Sequence, residues 1–217
     1  MPHLPERLLA IILLIISSST FAEEPAAETP PPSAMAIVET FHGNLLKVMQ
    51  EAKTLGFDGR YKALTAPITE TYDMKSIAGI AIGREWKKMD DTQKDRFESL
   101  MRDLIISTYA SRFSGYSGEK FETLGEKPIK KRHLVNTQLI KSDGEPVKLD
   151  YFLRSKKGEW QVFDVVADGV SDLSLKRADY SAIIKGDGLE GLARKMQENI
   201  NQYKADAKQG TTDASSE

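Results

Sequence analysis

Apolar residues recur at spacings of three and four through the first half of the chain. Ile37, Val38, Phe41, Leu45, Val48, Met49 and Ala52 line one face of a predicted helix that Gly56 ends. Tyr61, Leu64, Ile68 and Tyr72 repeat the pattern in a shorter helix. Pro67 has no backbone N–H to continue it, so a break or a fresh start is expected there. Residues 74–83 (MKSIAGIAIG) are apolar and small, suited to close packing against another element. Asp90, followed three residues later by Gln93, has the form of a capping box. Phe97, Leu100, Met101, Leu104, Ile105 and Thr108 then line one stripe of a helix predicted to run to about Phe113.

After Ser114-Gly115-Tyr116-Ser117-Gly118 the period changes from helical to two. Residues 119–127 suit an edge strand. His133, Val135, Thr137 and Leu139 alternate with Leu134, Asn136, Gln138 and Ile140, and Asp143-Gly144 is a hairpin signal. Val147, Leu149, Tyr151 and Leu153 alternate in turn, Lys157-Gly158 reverses the chain, and residues 160–167 (WQVFDVVA) make a third strong strand. Gly169 ends it. Residues 170–203 return to a helical period, with Tyr180, Ile183 and Ile184 in one piece and Leu189, Leu192, Met196 and Ile200 in the last. Helices at 35–113, strands at 119–167 and helices again describe an α+β fold with an antiparallel meander.

The two ends read differently. Residues 8–16 (LLAIILLII) are nine apolar residues in a row, about half of the roughly 20 that a membrane-spanning helix needs. With Thr20 and Ala22 before Glu23, residues 1–22 read as a cleavable signal peptide. Residues 23–34 read as a disordered, Pro-rich linker, and residues 204–217 as a disordered tail with no apolar residue beyond Ala. The chain has no Cys, which excludes disulfides, thiol chemistry and a lipoprotein-type anchor. These features point to an exported, diffusible protein of the periplasm. The formal net charge of −2, with both signs interspersed, speaks against a nucleic-acid partner.

Candidate chemistry is sparse. His42 and His133 are isolated and make no metal-binding pattern, and no phosphate loop, nucleophile elbow or dinucleotide fingerprint occurs. The expectation is a non-enzyme without a metal or cofactor. Asp164 is the acid of most interest, because it lies within an apolar strand. It is either a general base of raised pKa or the partner of a nearby backbone group or Arg. Trp86 and Trp160 stand at element starts, where Trp either anchors a core or stacks on a ligand.

Several segments together resemble one family. Gly83-Arg84-Glu85-Trp86, Gln93, Phe97 and Tyr109, then Tyr116-Ser117-Gly118-Glu119, match its central helix and the turn after it. Val135, Thr137 and residues 147–151 (VKLDY) follow. The most specific stretch is residues 158–171 (GEWQVFDVVADGVS), followed by Arg177, Tyr180 and residues 188–192 (GLEGL). In order and spacing these resemble the MlaC family of periplasmic phospholipid-binding proteins, which includes toluene-tolerance transport proteins and a hopanoid-associated branch. Ala167-Asp168 departs from the family's usual small or apolar residue followed by Glu, but keeps the charge.

The resemblance implies a curved antiparallel sheet of NTF2-like shape, packed with a helical lobe and enclosing a deep apolar pocket. It implies a carrier that takes phospholipid acyl chains and shuttles between an inner-membrane ABC transporter bearing an MCE-domain protein and an outer-membrane lipoprotein–porin complex. Hopanoid or another amphiphile is the alternative cargo. The lining expected on this basis is Tyr72, Ile77, Ile80, Met101, Ile105 and Tyr109 from the helices. From the sheet and the segment after it come Leu139, Val147, Leu149, Tyr151, Leu153, Val162, Val166 and Val170. Two acyl chains call for a pocket near the upper end of the usual range of about 300–1,000 Å³. Taken alone, these residues describe an ordinary filled core; the resemblance adds an open upper part above a packed base. Two other classes remain at this point: an NTF2-like enzyme using Asp164 on an apolar substrate, and an interaction protein that carries nothing.

Overall fold

The computed structural model describes residues 32–213, with side chains through Ala207. The expected signal peptide, most of the expected linker and residues 214–217 lie outside the described residues. Helix α1 spans Ala34–Gln50, α2 Ala52–Thr71, α3 Met74–Ile82 and α4 Asp91–Arg112, with a single 3-10 turn at Glu85–Lys88. Strands β1 (Lys120–Ile129), β2 (Arg132–Ile140), β3 (Pro146–Lys156), β4 (Glu159–Ala167) and β5 (Val170–Ser171) follow, and α5 (Asp172–Asp213) closes the chain.

The helical lobe forms where the apolar stripes lie. Ser33 caps α1, accepting a hydrogen bond from the Ala36 N–H, and Val38, Phe41, Leu45 and Val48 on its inner face are buried. Gly56 interrupts α2 with φ 58°, close to where the sequence places the first helix end. Pro67 does not break α2, contrary to expectation: the helix runs through it to Thr71. Leu64 and Ile68 on either side are fully buried, and this packing outweighs the missing backbone bond. Buried Arg60 joins α2 to the end of α4 by donating from Nε to the Ala110 carbonyl at 2.8 Å. In α3, a β-carbon at Gly79 would stand 3.0 Å from Trp86 Nε1, so the small residue is what seats the indole. The capping box at Asp90 and Gln93 is present in full at the start of α4.

The sheet is a curved antiparallel meander in the order β1-β2-β3-β4-β5. Register places Val135, Tyr151 and Val165 in one row, Thr137, Leu149 and Ala167 in the next, and His133, Leu153 and Val162 on the other side of Tyr151. Between Leu153↔Val162 and Phe152↔Asp164 the register shifts, which makes Phe163 the extra residue of a β-bulge. Helices and sheet are tied directly at one level: Tyr72 bridges to Val162, and the Asp73 N–H donates to the Val162 carbonyl at 2.9 Å. The Asp73 carboxylate, almost fully buried, also pairs with Arg154 and Lys156 of β3.

The last helix is longer than the sequence suggests. The tail expected from residue 204 is helical to Asp213. Lys204 Nζ pairs with Asp58 at 3.0 Å, and Tyr203 and Ala207 pack against the core, which gives this polar stretch a surface to follow. Gly188 (φ 69°, ψ −172°) kinks α5 in a conformation that favours glycine, between the two helical pieces read from the sequence. Among the described residues no helix is long and apolar enough to cross a membrane.

Candidate functional site

A cavity opens between the inner face of β3 and β4, the end of α4 and the first turns of α5. Ile77, Ile105, Leu149, Val165 and Leu173 supply aliphatic surface, and Tyr72, Tyr109, Phe113, Tyr151 and Phe163 supply aromatic surface. Arg112, Asp164, Asp172 and Lys176 are its charged members.

An aromatic layer forms the floor. Phe41, on the buried face of α1, meets Tyr72, Tyr109 and Tyr151 edge-on at ring separations of 5.5 to 6.5 Å. The hydroxyls of Tyr72 and Tyr109 share a hydrogen bond. Tyr151 Oη lies 3.0 Å from His42 Nε2, and the His42 imidazole stacks on Phe121 at 4.1 Å. Burial lowers the His42 pKa to about 4, so the imidazole is neutral near pH 7. Burial likewise pushes Tyr109 up to about 12 and raises Tyr72 and Tyr151 well above the usual phenol range. Around neutral pH the floor therefore carries hydroxyls and no charge. This hydrogen-bonded imidazole is a satisfied buried group.

Of the sequence-predicted lining, the structure gathers Tyr72, Ile77, Ile105, Tyr109, Leu149 and Tyr151 around the cavity. The others lie elsewhere. Met101, Leu153 and Val162 are completely buried in the packed core. Ile80 borders a surface depression with Trp86, Lys75 and Arg154. Leu139 and Val147 pair across β2 and β3 one row beyond Leu149, half-buried and outside the cavity. Val170 is 51% exposed. Val166 pairs with Asp150 on the face opposite Tyr151, because the bulge at Phe163 shifts the alternation by one residue. The same shift brings in Val165 and Ala167, which strict alternation places outside. Phe113, Leu173, Thr108 and the charged residues were likewise not foreseen as lining; Phe113, the last apolar residue of the α4 pattern, carried the clearest signal.

The cavity volume is about 130 Å³, well below the range expected for two acyl chains. The walls are close: Phe113 stacks on Tyr109 at 5.5 Å, and the Tyr72–Tyr109 hydroxyl pair spans α2 and α4. Asp164 has both carboxylate oxygens engaged. Oδ2 accepts from Ser171 Oγ at 2.7 Å and Oδ1 from the Leu173 N–H at 3.1 Å, which caps the start of α5. This is the structural role that the sequence left open beside catalysis.

Known proteins resemble this chain in sequence and in fold. A curated relative, the intermembrane phospholipid transport system binding protein MlaC of Haemophilus influenzae, is 29% identical over 126 residues, which cover 56% of this chain. The match spans 59% of that relative's length. A solved phospholipid-binding protein from Ralstonia solanacearum, in complex with a phospholipid, shares the fold. Its TM-score is 0.71 at 21% identity, over 79% of this chain and 99% of that one. The description of the MlaC protein family matches residues 39–198, a span that contains every cavity-lining residue, and the chain belongs to the MlaC family.

Proposed function

We propose that the protein is a periplasmic lipid carrier that holds phospholipid acyl chains in the cavity above the aromatic floor. In this reading it moves lipid between an inner-membrane ABC transporter with an MCE-domain protein and an outer-membrane lipoprotein–porin complex. The observation that carries the reading is an apolar cavity between sheet and helices in a chain of the MlaC family. The Haemophilus relative is named for intermembrane phospholipid transport, and the Ralstonia protein of the same fold holds a phospholipid.

The energetics set a condition on this reading. Two acyl tails have about 30 CH₂ groups at about 0.8 kcal/mol each, so leaving them in water costs more than about 20 kcal/mol. A carrier must bury almost all of that surface, and about 130 Å³ does not. The wall must therefore move outward on loading. The first piece of α5 is suited to this: it supplies Leu173 and Lys176 and lies between the turn at Gly169 and the kink at Gly188.

The test is mass spectrometry of lipid extracted under denaturing conditions from freshly purified protein, with uptake from phospholipid vesicles in parallel. The expected result is roughly one two-chain phospholipid per protein molecule, in line with pockets that bury most of one ligand. No extracted lipid together with no uptake overturns the carrier reading.

A further inference from the structure

The charged groups on the cavity wall differ in what they already hold. Lys176 Nζ lies 2.6 and 2.7 Å from the two carboxylate oxygens of Asp172. Asp164 is engaged by Ser171 and by the N-terminal backbone of α5. Arg112, in the last turn of α4, makes no side-chain hydrogen bond and no ion pair with any described residue. It stands beside Phe113 and borders the same cavity. Burial is the main influence on the Tyr109 hydroxyl within, and it raises the pKa; the Arg112 charge acts on that hydroxyl in the opposite sense. The guanidinium is thus exposed to solvent yet electrostatically connected to the interior.

A cation in the last turn of a helix is favourable in itself, because it faces the negative end of the helix dipole. That accounts for an Arg somewhere in this turn. It does not account for an unpaired one where the apolar wall ends. In a glycerophospholipid the phosphodiester lies next to the ester-linked chains, so chains held in the cavity place the phosphate at its mouth. A guanidinium matches a phosphate with two parallel N–H···O bonds, and its weaker hydration lowers the cost of making them.

We infer that Arg112 reads the phosphodiester of the bound lipid, so that the protein selects two-chain lipids with a phosphate over uncharged amphiphiles and leaves the alcohol beyond the phosphate unread. This rests on the carrier reading and deepens it by assigning a specificity residue. Arg112 is the only charged lining residue without a side-chain partner among the described residues, so the selection is by one anion and one cation. The headgroup alcohol extends beyond the phosphate into solvent.

The experiment is competitive uptake from phosphatidylcholine vesicles doped with equal small amounts of phosphatidylethanolamine, phosphatidylglycerol and diacylglycerol of the same chains. The lipids on the re-isolated protein are measured by mass spectrometry. For the wild type, the phospholipid-to-diacylglycerol ratio is expected to exceed that of the vesicles by roughly tenfold. Arg112→Gln is expected to bring it within about threefold of the vesicle ratio, and Arg112→Lys to restore part of the preference. The ethanolamine-to-glycerol ratio should stay the same in all three. Arg112→Gln keeping the wild-type preference overturns the assignment and leaves the carrier reading intact. So does Arg112→Gln loading neither class while melting like the wild type, because diacylglycerol uptake does not need the guanidinium. A wild type that loads none of these lipids overturns the carrier reading itself.

Discussion

Leu149 and Leu153 share one face of β3, on either side of Tyr151, and meet different surroundings. Leu153 is fully buried and pairs with Val162, which is also fully buried. Leu149 is half-buried, pairs with Ala167 and borders the cavity. The residue type and the face are the same, so alternation does not explain the difference. What differs is how the helices are attached. At the level of Leu153 the end of α2 is bridged to Val162, and Asp73 is bonded to the Val162 carbonyl and to Arg154. That attachment leaves Leu153 and Val162 fully covered. At the level of Leu149 the facing elements are the last turn of α4 and the first turns of α5. The aromatic layer of Phe41, Tyr72, Tyr109 and Tyr151 marks the change from packed base to open upper part.

The comparison is most readily broken at its two leucines. Leu149→Glu puts a charge on the cavity wall, and the expected result is a loss of lipid load of at least roughly tenfold in a protein that still folds. Leu153→Ala should do the reverse. Removing a fully buried Leu costs about 2–5 kcal/mol in urea unfolding, while lipid per folded molecule stays at the wild-type level. Equal effects of both substitutions on load would erase the distinction between base and cavity.

A smaller effect sharpens the position of the floor. His42 has a folded pKa of about 4 against an ordinary 6.5, so the unfolded chain binds the extra proton first as pH falls. The stability held by neutral His42 is present above pH 6.5, declines between 6.5 and about 4 and levels off below. The loss is on the order of 3 kcal/mol over that window. Asp73 adds a separate decline at lower pH. Burial alone would raise its pKa, but hydrogen bonding from Ser76 and the charges of Arg154 and Lys156 bring it below the ordinary carboxylate value. Its contribution is therefore lost only as pH falls below that value. Urea unfolding of the wild type and His42→Gln across this range should show the upper decline in the first protein and not in the second. The same upper decline in both would take His42 out of the account.

Much of the fold was legible in the sequence because short-range chemistry decides it. The capping box at Asp90, the Asp143-Gly144 turn and the period-two strands each act over a few residues, and each is where the pattern places it. Pro67 and the helix beyond residue 204 were not legible, because distant packing supports them: Leu64 and Ile68 in the core for one, Asp58 for the other. The candidate site was legible only in part, six of the fourteen expected lining residues bordering the cavity, for a related reason. Faces were readable, but the bulge at Phe163 moved Val166 out and Val165 in, and nothing local in WQVFDVVA announces it. Nor does a strand pattern tell which inward residues are covered by a bonded helix, as Leu153 is, and which border open space, as Leu149 does. Nothing in the helical pattern sets Arg112 apart; its place on the cavity wall and its lack of a side-chain partner among the described residues come from the fold.

The central claim is that acyl chains lie above the aromatic floor and not elsewhere on the molecule. It is tested most directly by loading the protein with a phospholipid that carries a photoactivatable diazirine midway along one chain. After irradiation, the adducts are mapped by peptide mass spectrometry. The account predicts adducts at cavity residues such as Ile105, Leu149, Val165 and Leu173, with none at Met101 or Leu153 beneath the floor. Adducts confined to exposed positions such as Leu124 and Ile129, with the cavity peptides unlabelled, would contradict it.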